Sequence, residues 1–266
     1  MPDLTLWNGD CLEIMKQIPD KSIDLIICDL PYGCLTTQGT TSKMYTNKGE
    51  GQNGCSWDIK IDLKVFWKQI KRIRKSDHSP TIHFCTTKFG FELHASNPDE
   101  FRYDLVWDKQ RGVSFLSANR MPMRSHEMIY VFSKAGAFYE RKDITGDFKK
   151  WIHKSDGVVK SKTYKSPDGG YDIRQTTPEG GDGKRCVLSV IQQNGSLKKG
   201  NHPTEKPESL YRFLIERYCP VDGTVLDPTF GSGNSVFTAF SMGRSAIGIE
   251  KDDTFFKKAE ERLNKL

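Results

Sequence analysis

Apolar positions recur with a regular period at both ends of the chain and lose it in the middle. Leu4–Trp7 alternates as a short strand, and Gly9-Asp10 opens a helix over Cys11–Lys16. Ser22–Asp29 (SIDLIICD) is a nearly continuous apolar run followed by Pro31 and Gly33, a pattern that predicts a strand buried on both faces of a parallel sheet. Asp62–Lys75 places apolar residues at helical spacing behind an Asp suited to cap the first turn. Strands are predicted at Thr81–Cys85, Arg102–Trp107 and Glu127–Phe132. The rhythm resumes with a helix over Glu208–Tyr218 and a strand at Thr224–Asp227. A glycine turn then leads into a helix ending near Met242, followed by a strand at Ser245–Glu250 and a terminal helix from Asp252. βαβ alternation at both ends predicts an α/β fold with a doubly wound sheet.

Two stretches interrupt this order. Residues 33–56 are rich in Gly, Thr, Ser and Asn, and a connection of that length without periodicity is expected to be a functional loop or a disordered one. Residues 134–200, with paired glycines and Pro/Ser/Thr turns, are expected to form a separate module between two halves at 1–133 and 201–266. Charge supports that division. Of 40 Lys and Arg and 34 Asp and Glu, 14 basic and 8 acidic residues fall in 134–200, leaving 26 of each elsewhere. The net excess of +6 thus lies in one segment, as expected where a polyanion docks, although a solvated insert has the same look.

Composition narrows the setting. Seven cysteines without a C-x-x-C pair predict reduced thiols and no metal site. Met1-Pro2-Asp3-Leu4-Thr5 lacks a basic region followed by an apolar stretch, no apolar run reaches bilayer length, and mean hydropathy is -0.59. A soluble, cytoplasmic protein with no membrane partner is the expectation.

Chemistry concentrates in two motifs. Val225–Ser235 runs from strand through Gly231-Ser232-Gly233 into a helix, a cradle that lets backbone approach a ligand. Val236 stands where a dinucleotide fingerprint has its third glycine, which disfavours a nicotinamide dehydrogenase. Asn234-Ser235 does not supply the Lys-Ser/Thr of a phosphate loop. Asp227, Gly231, Gly233 and the strand-ending Glu250 therefore predict a nucleoside site without a pyrophosphate. The second motif, Asp29-Leu30-Pro31-Tyr32, follows the buried strand, where doubly wound sheets bind ligands. Asp29 can accept a hydrogen bond from an exocyclic amine, and Tyr32 can stack on a planar base. Taken alone, the same four residues also suit a capped turn beside a core tyrosine.

Together the two motifs resemble the amino-methyltransferases of DNA, specifically the β class of adenine-N6 enzymes, in which the catalytic motif precedes the target-recognition region and the cofactor motif. The resemblance implies a Rossmann-like, mostly parallel sheet with a circularly permuted motif order, and S-adenosylmethionine as cofactor. It makes Asp29, Leu30, Pro31 and Tyr32 catalytic. Asp10, with Cys11 beside it, would meet the cofactor adenine, and Thr204 and Lys206 of His202–Pro207 its methionine end. The loop Asp227, Pro228, Phe230, Gly231, Ser232, Gly233, Asn234 and Ser235 would cradle it, and Glu250 would bind ribose. Met123–Phe132, with His126-Glu127, resembles a later strand of the catalytic half. Leu30 stands where the family usually has Pro. Asp29 points to adenine, because cytosine-N4 relatives usually carry Ser there.

By the same resemblance, 134–200 reads the target in double-stranded DNA, with Lys149, Lys150, Lys154, Lys160, Lys162, Lys165, Arg174, Lys184, Arg185, Lys198 and Lys199 suited to phosphates. Trp151, Tyr164 and Tyr171 are interleaved with them, and Arg174 and Gln175 are candidates for base edges. The loop at 33–56, with Lys43, Tyr45 and Lys48, would close over a flipped base. A homodimer and a cognate restriction endonuclease are the protein partners that the resemblance admits. The competing readings are a methyltransferase acting on cytosine N4, RNA or a protein amide, and a relative that binds DNA without turnover.

Overall fold

The computed structural model describes residues 2–33, 58–113, 115, 118–145, 184–193 and 205–265. In chain order the elements are β1 (Leu4–Asn8), α1 (Cys11–Ile14), β2 (Leu25–Cys28), α2 (Leu63–Ile73), β3 (Thr81–Cys85) and α3 (Thr87–Ser96). They continue with β4 (Phe101–Val113), β5 (Arg124–Phe132), β6 (Ile144–Thr145), β7 (Lys184–Arg185) and β8 (Val190–Gln192). The last are α4 (Glu208–Tyr218), β9 (Thr224–Asp227), α5 (Asn234–Ser241), β10 (Ser245–Glu250) and α6 (Asp253–Leu263).

Eight strands form one sheet in the order β1-β10-β9-β2-β3-β5-β4-β8. Every neighbouring pair is parallel except those made by β5, which runs antiparallel to both β3 and β4. The fold class is therefore the expected doubly wound, mostly parallel α/β sheet. All four residues of β2 are buried, and because alternate side chains face opposite ways they feed two cores. Leu25 and Ile27 pack with Ile82, Leu214, Val225 and Val236 on one face. Ile26 and Cys28 pack with Met15, Phe66, Ile70 and Ile73 on the other. Each such fully buried side chain contributes about 1.5–3 kcal/mol. Asp62 caps α2 by accepting from the amides of Lys64 (2.8 Å) and Val65 (3.1 Å), which fixes the helix start where the sequence predicts it.

Helix α3 had no clear signal in the sequence. Gly90 interrupts it, yet a Cβ there would stand 2.9 Å from the Tyr130 ring, so close packing on β5 requires the glycine. The main body runs 1–140 and 188–266, and a second compact unit spans Arg141–Val187. The second unit thus ends before β8, which adds to the edge of the main sheet beside Val106–Asp108. Within the second unit, β6 and β7 pair antiparallel. Among the described residues no helix is long and apolar enough to cross a membrane.

Strands β2 and β9 lie side by side, with Leu25 opposite Val225, yet the chain leaves them in opposite directions along the sheet. A divergence of this kind opens a crevice at the carboxyl ends of the two strands. Asp29 and the Asp227 turn both sit there.

Candidate active site

A cavity of about 550 Å³ opens at that crevice. Its walls come from the ends of four parallel strands: Gly9–Leu12 after β1, Asp29–Tyr32 after β2, Pro228–Ser232 after β9 and Glu250–Asp252 after β10. Lys206, Tyr211 and Phe255 add to it, as do the Asp58–Asp62 segment, Glu127 of β5 and Glu205. The two sequence motifs, nearly 200 residues apart, thus share one chamber, and Thr229 Oγ1 donates to the Asp29 carbonyl at 3.2 Å.

Asp29 is held at both carboxylate oxygens. Tyr32 Oη donates to Oδ1 at 2.6 Å, and Lys206 Nζ donates to Oδ2 at 2.5 Å. A carboxylate has about four lone-pair directions, so each oxygen can accept once more. Lys206 is only 4% exposed and also faces Glu127 Oε2 at 3.5 Å, while Lys109 pairs with the other oxygen of Glu127. Burial works against charge on Lys206, but the Asp29 and Glu127 carboxylates outweigh it and hold the ammonium above its ordinary range. Burial likewise opposes charge on Glu127, and Lys206 and Lys109 outweigh it in turn. Tyr32 rises well above the phenol range because it is buried beside Asp29 and Glu127, so it stays a donor. The Leu30 side chain is buried among Cys11, Met15 and Phe66, anchoring the turn from behind.

The glycine turn after β9 divides into a lining and a frame. Pro228, Phe230, Gly231 and Ser232 face the cavity, as do Asp10, Cys11 and Glu250. Asp227, Gly233, Asn234 and Ser235 are absent from its walls and brace the turn instead. Asp227 is buried, accepting from Ser235 Oγ (2.5 Å) and the Thr229 amide (2.9 Å), and burial pushes its carboxyl up to about 7. Gly233 takes φ +82° at the start of α5, where a Cβ would meet the Phe237 ring at 2.7 Å. Asn234 ties the turn to Glu205, the Lys206 carbonyl and Arg262. Glu250 accepts from the amides of Gly231 (2.8 Å) and Asp252 (2.7 Å), and burial raises its carboxyl. Asp10 caps α1 through Leu12 N while its other oxygen meets Lys251.

Thr204, the closing loop with Lys43, Tyr45 and Lys48, and the side chains assigned to DNA contact in 134–200 lie outside the described residues. Sequence reasoning missed the roles of Glu127, Glu205 and Tyr211 at the cavity. His126-Glu127 opening a predicted strand was the one signal that pointed at Glu127.

Phe230 keeps its place because Gly248 lies behind it: a Cβ there would stand 2.6 Å from the ring and 3.1 Å from Leu6. Gly248→Ala is expected to cost about 1–3 kcal/mol by overpacking and to weaken ligand binding in the chamber. Urea unfolding and calorimetric titration check both. Unchanged values would mean that the ring is free to move.

Eight carboxylates and three lysines line the chamber, and the Gly231 amide is already engaged by Glu250. A pyrophosphate would find repulsion there, whereas a cationic nucleoside would not. The fold and chamber define a doubly wound protein with a nucleoside-sized acidic site at its switch point. The family model N6_N4_Mtase, described as DNA methylase, matches residues 23–261, and the chain belongs to that family. It is a DNA methyltransferase that uses S-adenosylmethionine. Type II methyltransferase M.HinfI of Haemophilus influenzae is 29% identical over 280 residues, covering 98% of this chain and 68% of that protein. DNA adenine methyltransferase YhdJ of Escherichia coli is 25% identical, covering 98% and 82%. Among solved structures, the M1.HpyAVI–SAM complex superposes with TM-score 0.58 at 16% identity, covering 98% of this chain and 99% of that one. The cytosine-N4-specific PvuII DNA methyltransferase gives 0.64 at 16% identity, covering 98% and 86%, and these two likenesses speak for the fold alone.

Proposed function

We propose that the methyl acceptor is the N6 amine of an adenine flipped out of double-stranded DNA at a specific sequence. One observation carries this reading. The Asp29 carboxylate, with free lone pairs, shares a chamber with the Phe230–Gly231 turn and Glu250.

An adenine amine is a poor nucleophile because its lone pair is delocalised into the ring. Asp29 and the carbonyl of Leu30 or Pro31 accept its two N–H bonds, favouring a pyramidal nitrogen whose lone pair is free. Tyr32 offers its ring to the base while its hydroxyl fixes Asp29. The amine is paired within a duplex, so the base must leave the stack first.

The donor's fit rests on the residues present. Glu205 Oε2 is buried with no partner among the described residues and suits an ammonium group. Glu250 and Asp10 suit the ribose hydroxyls and the adenine, and Phe230 and Phe255 supply apolar walls. When bound, S-adenosylmethionine supplies an electrophilic sulfonium methyl. The chain's own contribution is position and electrostatics: Asp29 orients the amine, and Lys206 balances the Asp29 charge.

The segment 134–200 is assigned to target recognition on its basic charge. Work in the cytoplasm, a homodimer and a cognate restriction endonuclease complete the proposal, the last because M.HinfI is a Type II methyltransferase. The same fold serves a cytosine-N4 enzyme, so the product decides. Genomic DNA methylated with labelled cofactor and digested to nucleosides is expected to carry label on N6-methyladenine. Label on N4-methylcytosine, or none in DNA, would overturn the assignment.

A further inference from the structure

The β4–β5 hairpin runs past the sheet on the same edge as the chamber. β5 begins at Arg124, three residues before the cavity-lining Glu127, about 10 Å along a strand. The pairing register breaks between Asp108 and Val113, and Gln110 takes φ +55°, an irregularity that re-aims the tip. The stem is clamped by the Lys109–Glu127 ion pair and by Met123, which lies so close over Gly112 that a Cβ there would stand 2.5 Å from its methyl group.

The tip has an unusual surface. Phe115 is 77% exposed, Met121 58% and Met123 44%, three large apolar side chains within nine residues. From Lys109 to Arg124 the sequence holds four basic residues and no acidic one. A symmetric contact with a second copy would set Arg120 and Arg124 against their own equivalents. A polyanion neutralises them, and apolar wedges on a basic element are how proteins enter a DNA stack.

We infer that this hairpin contacts duplex DNA beside the chamber: Arg120 and Arg124 hold phosphates, and Phe115, Met121 and Met123 fill the gap that the target base leaves. The inference rests on the proposed base-flipping reaction and adds the element that opens the duplex. The gap-filling side chains matter only where there is a stack to open, so single-stranded substrate bypasses them. The arginines matter for either form.

Two variants test it, Arg120→Gln with Arg124→Gln, and Phe115→Ser with Met121→Ser and Met123→Ser, each checked for unchanged cofactor binding. Affinity is read by anisotropy on a short random-sequence duplex, intact or with a central abasic site, across a salt series. Transfer is read on genomic DNA, native and heat-denatured. Losing the arginines should weaken duplex binding about tenfold and lower the salt slope by about 2. The serine variant should lose at least about tenfold in transfer to duplex and stay within about threefold on denatured strands, while losing the parent's preference for the abasic duplex. Parent-like behaviour of both variants overturns the inference, as does an equal loss on duplex and single strands. A parent dimer that the serine variant turns into monomers, with duplex transfer intact, makes the patch a self-association surface instead. A parent that methylates no DNA sinks the adenine proposal and leaves the hairpin judged by the anisotropy arms.

Discussion

Asp29→Ala is expected to slow methyl transfer by about 10³-fold while cofactor affinity stays within a few-fold of the parent. The carboxylate is fixed by two side-chain donors, Tyr32 and Lys206, and is still able to accept from an amine. Its removal spares the walls proposed to meet the cofactor: Phe230 and Gly231 lie in the turn after β9, and Glu250 ends β10. Single-turnover transfer of labelled methyl, read against calorimetric cofactor binding, separates the two quantities. Activity within tenfold of the parent would move the chemistry elsewhere in the cavity.

Lys206→Met is expected to cost about 3–5 kcal/mol of stability as well as activity. The ammonium is the shared counter-charge of Asp29 and Glu127, both largely buried, and methionine leaves Asp29 without its cation and Glu127 with Lys109 alone. Adding Glu127→Gln removes one of those charges, so the double variant should recover part of the loss. Urea unfolding of parent, single and double variants gives the comparison. A loss under about 1 kcal/mol in the single variant would show that water can replace the ammonium.

Much of the frame was legible because it depends on local period. β3, β9, β10 and α4 match the predicted limits, since apolar runs bounded by turn residues leave few alternatives. Asp29 and Glu250 could be placed because a carboxylate ending a buried strand must lie at the sheet's edge. Glu127 and Lys206 could not be paired in advance: 79 positions separate them, and only the antiparallel insertion of β5 brings them together. The resemblance implies ligand contacts at Asp227, Gly233, Asn234 and Ser235. The structure uses them to hold the loop's shape, a distinction that depends on which way each side chain turns. Leu30, the departure from the family pattern, is explained by burial: the position faces the core and accepts an apolar side chain.

The pairing of β1 with β10 and of β2 with β9 joins residues far apart in the sequence, Leu4 with Ala246 and Leu25 with Val225. A nascent chain on the ribosome therefore carries its reactive carboxylate long before the partner strands exist. Closing loops of such length is entropically slow, so this half of the sheet should set the pace of maturation. Newly made protein is expected to stay unable to modify the genome until β9 and β10 have emerged.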